Sequence, residues 1–216
     1  MKIRTGCAAV AVVIAASCSR DIGRPVTDDL TLAQAAASCA FAELDGHGLN
    51  ASDIPVAHTP NCRYTTFPDP VLAACAEPLA AGVVDLRGVW VDMSVPHGHL
   101  ERIEQCGDRV SITAAGIIHD MRADNTYEHG VNDVSERGCV PISVRAEFID
   151  GVHTLHPKWL PLMVTRRLDG DQLEWNYPTG VYRLTRLCGP RAPADPTQVV
   201  ERLRGSAAAA PGGHGG

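Results

Sequence analysis

Basic charge is the first thing this chain has little of. Its 216 residues carry 19 Lys and Arg against 25 Asp and Glu, a formal charge of -6. That balance excludes nucleic acid as a partner, because phosphate binding needs a basic surface. No apolar run reaches the roughly 18 residues that a membrane-spanning helix requires. The His-Glu-x-x-His pair of zinc hydrolases is absent, as is the Gly-x-Ser-x-Gly turn that presents a nucleophilic serine. Glu101 and Glu104 are paired carboxylates, but nothing around them resembles a glycosidase. A non-enzymatic role without a cofactor is therefore expected. Aromatics make up only 5%, yet a hydrophobic share of 45% is too high for a wholly disordered chain. The length suits one main domain, with room for an appendage.

What the chain has in plenty is cysteine, eight in all. The N-terminus says which compartment they serve. Lys2 and Arg4 make a positive start, Cys7 to Ala16 is apolar, and Ala15-Ala16-Ser17 is a small-residue cleavage site. This pattern reads as an export signal over residues 1–17, too short to span a membrane. Cys18 follows at once, and small residues running into a Cys resemble the lipobox of bacterial lipoproteins. Ala15 stands where that family usually has Leu, so plain cleavage and secretion is the alternative. Parity favours lipidation. Loss of Cys7 leaves seven cysteines, and lipidation of Cys18 leaves six: Cys39, Cys62, Cys75, Cys106, Cys139 and Cys188. Six make three disulfides in an oxidising compartment, with 15 possible pairings. The resemblance implies palmitate-type acylation at Cys18, with Ser19 pointing to the outer membrane, facing the periplasm. Without Lys2 and Arg4 little basic charge remains to hold an anionic surface, so the lipid would be the membrane anchor.

Residues 18–82 read as a tether followed by a helical and loop segment. Thr27-Asp28-Asp29 caps an expected Ala-rich helix through about Leu44, 49–70 is Pro- and Asn-rich loop, and Val71 to Ala76 suggests a helical turn. From 83 to 188 short alternating runs take over. Strands are expected at 86–95, 100–106, 108–114, 116–122, 126–131, 141–149, 152–156, 161–168, 171–177 and 180–187. Asp169-Gly170-Asp171 marks a hairpin turn. Such a series predicts a mainly β fold, an antiparallel up-and-down barrel of about 8–10 strands. Residues 189–216 are a low-complexity tail, expected to be disordered.

Leu86-Arg87-Gly88-Val89-Trp90 opens the strand-rich region. Gly88-x-Trp90 on the first strand of such a meander resembles the lipocalin-like (calycin) signature, over residues 83–188. The resemblance implies that Trp90 closes one barrel end, with an Arg of the last strand over its indole. Arg183 and Arg186 are the candidates, and on a strand they face opposite sides. It also implies an interior cavity for a small apolar ligand. Ile112, Ile118, Val144, Phe148, Val164 and Trp175 are the candidate lining, with plain core packing as the alternative. A closed barrel makes its first and last strands neighbours, which suggests Cys75–Cys188, with Cys39–Cys62 and Cys106–Cys139 as the remaining pairs.

Histidines supply a rival. His97-Gly98-His99 places two imidazoles on one side of an extended segment, and His119 could join them around a transition metal. The bland alternative is surface histidine. Asp120 to Asp133 is a dense acidic run without EF-hand spacing, expected to be a hairpin and solvated loop. Three functions are carried forward: an envelope lipoprotein binding a small apolar ligand, a metal-binding envelope protein, and a solid barrel serving as a protein-interaction module.

Overall fold

The computed structural model describes residues 39–92, 99–190 and 201. Ten antiparallel strands follow one another: β1 (Gly88–Asp92), β2 (His99–Cys106), β3 (Arg109–Ala114), β4 (Ile117–Arg122), β5 (Val131–Val134), β6 (Pro141–Ile149), β7 (Val152–Pro157), β8 (Val164–Asp169), β9 (Gln172–Tyr177) and β10 (Gly180–Cys188). They form a single sheet in which β1 pairs with both β2 and β10. Among the described residues the ladder is interrupted only between β4 and β5. The result is a nearly closed up-and-down barrel, compatible with a lipocalin-like fold. The β8–β9 turn falls at Asp169-Gly170-Asp171, as the sequence predicts.

One strand sits off its expected place. The stretch 126–131 is mostly turn, and pairing begins at Val131. Local polar groups compete successfully with a ladder here. The Asp124 carboxylate accepts from Thr126 N and Oγ1 and pairs with His129 Nδ1, while Asn132 Nδ2 donates to the carbonyls of Tyr127, Glu128 and Gly130. Gly130 then passes so close to β6 that a Cβ there would lie 2.0 Å from the Val144 carbonyl oxygen.

Among the described residues helix is nearly absent, with two 3₁₀ turns, Ala51–Asp53 and Pro60–Cys62, between residues 39 and 190. Residues 39–44 of the expected N-terminal helix are not helical, and its earlier part lies outside the described residues. Val71 to Ala76 is bend and turn. Lipidation at Cys18, the export signal and nearly all of the tail also fall outside the described residues.

Burial explains where the non-helical segment goes. β1 is buried at every position and β2, β3 and β4 nearly so, whereas β6 and β10 alternate with exposed positions. Residues 39–85 form a strap across the outer face of β1–β4. Phe67 packs with Val89, Val91, Leu100 and Leu187, and Leu72 packs beside Cys75 and Cys106. Three arginines hold the strap by its carbonyls: Arg87 on Ala42, Arg102 on Pro68 and Asp69, and Arg109 on Ala51, Ile54 and Pro55. A strap without regular secondary structure has carbonyls to satisfy, and buried guanidiniums with several donors suit that need. Thr59 bridges the seam itself. Ile118 N of β4 donates to its hydroxyl, and Thr59 N donates to the Asp133 carboxylate of β5 at 2.7 Å.

All six expected cysteines are paired, but in other partnerships. The bonds are Cys39–Cys188, Cys62–Cys139 and Cys75–Cys106, not Cys75–Cys188, Cys39–Cys62 and Cys106–Cys139. Each bond joins the strap to the barrel. The expected pairing treats the N-terminal segment as closing on itself, whereas the strap runs over the barrel and brings Cys39, Cys62 and Cys75 to three separate places on it.

Candidate functional site

The barrel has a closed end and an open one. At the closed end, Trp90 is completely buried and donates from Nε1 to the Leu86 carbonyl at 2.9 Å. Gly88 makes this possible, since a Cβ there would sit 3.0 Å from Trp90 Nε1 and from the Cys188 carbonyl oxygen. Of the two candidate arginines Arg186 covers the indole, its guanidinium carbon 4.3 Å from the ring centroid. Arg183 faces outward and pairs with Asp169 and Glu174. Gln105 completes the closure by accepting from Leu86 N and donating to the Val84 carbonyl.

Beyond this closure the interior opens into a cavity of about 770 Å³. Ile112, Val144, Val164 and Trp175 line it, together with Ala114, Ile117, Leu155, Leu162 and Tyr182. Ile118 does not. It pairs across with Thr113 on the outward face, because Ile117 and His119 take the inward phase. The adjacent isoleucines conceal that phase in the sequence. Phe148 packs against the core beside His153, with ring centroids 5.0 Å apart, and also lies off the cavity wall.

A polar cluster sits in this apolar interior. Glu101 is fully buried, and its carboxylate receives Arg166 Nε and Nη2, both at 2.9 Å. His99 Nε2 lies 3.3 Å from the same carboxylate, and its ring stacks on Trp175 at 4.4 Å. Arg166 in turn lies over Trp175, its Cζ 5.6 Å from the ring centroid. Burial opposes ionisation of Glu101, but the Arg166 charge and the bonds from His99 and Arg166 outweigh it and hold the carboxyl at about 2. Burial, reinforced by Arg166, pushes His153 down to about 3 and His119 down to about 4, so both are neutral near pH 7. Within it the Glu101 carboxylate and the Arg166 guanidinium neutralise each other.

Sequence reasoning weighed Glu101 only as a paired carboxylate with Glu104 and set it aside, and it missed Arg166. The signal was present as phase: Arg166 lies two residues from inward Val164, and Glu101 two from inward Ile103. A charged residue in register with apolar inward neighbours is a buried charge unless the strand bulges.

Of the three candidate metal-ligating histidines the structure describes two. His97 lies outside the described residues. His99 and His119 both reach the cavity wall, but His99 is engaged with Glu101 and Trp175. Among the described residues no three His, Cys, Asp or Glu side chains are placed to hold a metal ion. The acidic run is likewise committed: Asp120 clasps Arg109, Asp124 organises its own turn and Asp133 holds Thr59.

The open rim is apolar. Trp159 is 89% exposed, with Leu160 and Met163 on the same β7–β8 loop, and Val140 and Tyr177 also present large exposed surfaces. No family model matches the chain, and a search of curated proteins finds no similar sequence.

Proposed function

We propose that this chain is an exported envelope lipoprotein, anchored through Cys18, whose lipocalin-like barrel binds a small, largely apolar molecule without chemically changing it. The observation that carries the reading is the cavity of about 770 Å³. Its size falls within the usual range for small-molecule sites, about 300–1,000 Å³, and so does its character: an apolar wall with a few fixed polar groups. The Gly88–Trp90–Arg186 closure supports the lipocalin-like assignment. The absence of a catalytic role is supported by the commitments of the reactive groups. The six cysteines from Cys39 onward are in disulfides, and Glu101 is locked on Arg166. The export signal, the lipobox-like Cys18 and three disulfides together support an oxidising envelope location.

A protein-interaction role is favoured separately by the exposed Trp159 and Leu160 at the rim, because contiguous exposed apolar surface marks contact sites. It is compatible with ligand binding, since a rim partner could deliver or receive the ligand. Native mass spectrometry of the mature protein tests the main reading. The expected spectrum shows a small-molecule adduct that organic solvent removes, plus an acyl mass that Cys18→Ala abolishes. A bare protein mass, with no binding of any apolar probe, would overturn the ligand reading. An unmodified Cys18 would overturn the anchor alone.

A further inference from the structure

Beyond ligand binding, we propose that the open rim of the barrel docks on an anionic lipid surface, with Trp159 and Leu160 in the headgroup layer. What the rim exposes is the first ground. The β7–β8 loop presents Trp159, Leu160 and Met163 to solvent, and Val140 and Tyr177 do the same on the neighbouring connections. Trp159, Leu160 and Tyr177 also line the cavity, so the apolar rim is continuous with its mouth. Exposed apolar surface of this kind marks a contact site.

Charge selects the occupant. The described connections at the open end are 115–116, 135–140, 158–163 and 178–179. Among them Glu136 is the one acid, beside two bases, Arg137 and Lys158. The strap adds Arg63 at the β3–β4 turn, where Tyr64 N donates to the Gly116 carbonyl. The closed-end connections are the reverse. Each carries an acid, in order Asp108, Asp124 with Glu128, Asp150 and Asp171, and none has a Lys or Arg. Glu128, Asp150 and Asp171 are exposed. In a chain of formal charge -6, the apolar end is thus the one kept nearly free of acid. An anionic bilayer repels the closed end and attracts the bases of the rim. A protein partner can carry either sign, whereas such a bilayer has one.

Local chemistry agrees. Lys158 Nζ lies 5.3 Å from the Trp159 ring centroid and 5.4 Å from that of Tyr127. An indole has an apolar body and a polar tip, and a Lys stem lies along apolar surface while its ammonium reaches phosphate. The Cys18 anchor permits the pose. The Cys39–Cys188 bond lies at the closed end, where β10 finishes. Residues 19–38 precede it, and a stretch of that length spans up to about 70 Å. A strand as long as β10 spans only about 30 Å.

Vesicle co-sedimentation of the mature chain tests the surface, with Cys18→Ala removing any acyl contribution. Vesicles of phosphatidylethanolamine and phosphatidylglycerol are expected to bind it. Trp159→Ser with Leu160→Ser should weaken partition at least about tenfold, because two large apolar side chains leave the interface. Trp159→Phe should keep binding while losing most of the fluorescence quenching by brominated acyl chains. Lys158→Gln should weaken partition about fivefold on these vesicles and leave it unchanged on phosphatidylcholine. Ile149→Ser, at an exposed apolar position of the closed end, should change nothing. No partition, or partition indifferent to the double variant, overturns the assignment. Self-association of the wild type that the double variant abolishes, with no vesicle binding, gives the rim to a second copy and also overturns it. The ligand reading survives either failure, because the small-molecule adduct decides it, and the acyl mass decides the anchor.

Discussion

The buried Glu101–Arg166 pair gives the most exacting test of this interior. Glu101→Gln removes the charge while keeping the shape, and it strands Arg166 as an uncompensated cation. At an effective dielectric of about 20, opposite charges some 4 Å apart attract by about 4 kcal/mol. The acid titration leads to a similar size. The Glu101 carboxyl is held at about 2 against an ordinary 4.5, and that difference is worth about 3 kcal/mol. Breaking a buried pair typically destabilises by about 3–5 kcal/mol, while replacing both members with apolar groups is close to neutral or stabilising. Glu101→Gln should therefore lose about 3–5 kcal/mol, and Glu101→Leu with Arg166→Met should recover most of it. Urea denaturation with the disulfides intact, followed by tryptophan fluorescence, reads both. The sign with pH follows from the lowered carboxyl. The pair's contribution is fully present above 4.5 and is lost as pH falls toward 2, so the difference between wild type and Glu101→Gln should shrink over that window. A loss below about 1 kcal/mol for the single variant, with no recovery in the double one, would refute the desolvated pair.

Four further outcomes are expected. His153 and His119 are held near 3 and 4 against 6.5 when unfolded, so their contribution is present above 6.5 and lost as pH falls toward those values. By pH 5 each should remove about 2 kcal/mol, and His153→Phe should flatten the decline of the melting temperature between pH 7 and about 5. Cys62→Ser with Cys139→Ser opens a loop of 77 residues' separation and should destabilise by about 4 kcal/mol in the chain-entropy view, measured by urea midpoint. A non-reducing peptide map of the wild type should recover Cys39–Cys188, Cys62–Cys139 and Cys75–Cys106 and no other pairs. Thr59→Val deletes the hydroxyl that spans the β4–β5 seam and should lower stability by about 1–3 kcal/mol, with faster amide exchange at Ile118 as the local signature.

The barrel was largely legible in the chain, and its interior only partly. Strand alternation and tight turns are local properties, so ten strands could be placed, and β5 moved only because Asp124 and Asn132 satisfy the preceding turn by themselves. The lipocalin-like resemblance implied an arginine of the last strand over Trp90 and left Arg183 and Arg186 open; the structure places Arg186 there. Among the lining residues, Ile112, Val144 and Trp175 were legible because each sits between polar neighbours, Val164 because polar Thr165 follows it, while Ile118 sits in an apolar doublet that has no visible phase. Glu101 and Arg166 were passed over because a charge on a strand ordinarily faces water. Only the register that places them across the barrel from each other makes burial tolerable.

Two things were determined by the sequence alone: the up-and-down β architecture, written in a period of two, and the six cysteines that pair. The tertiary structure decided which of them meet. It did so because residues 39–85, lacking a period of their own, are positioned by what they cover: the outer face of β1–β4, held by Arg87, Arg102 and Arg109. Contacts of that kind join residues tens of positions apart and leave no spacing to read. The polar cluster of the interior arises the same way, from side chains on β2, β4, β7, β8 and β9 that only closure of the barrel brings together.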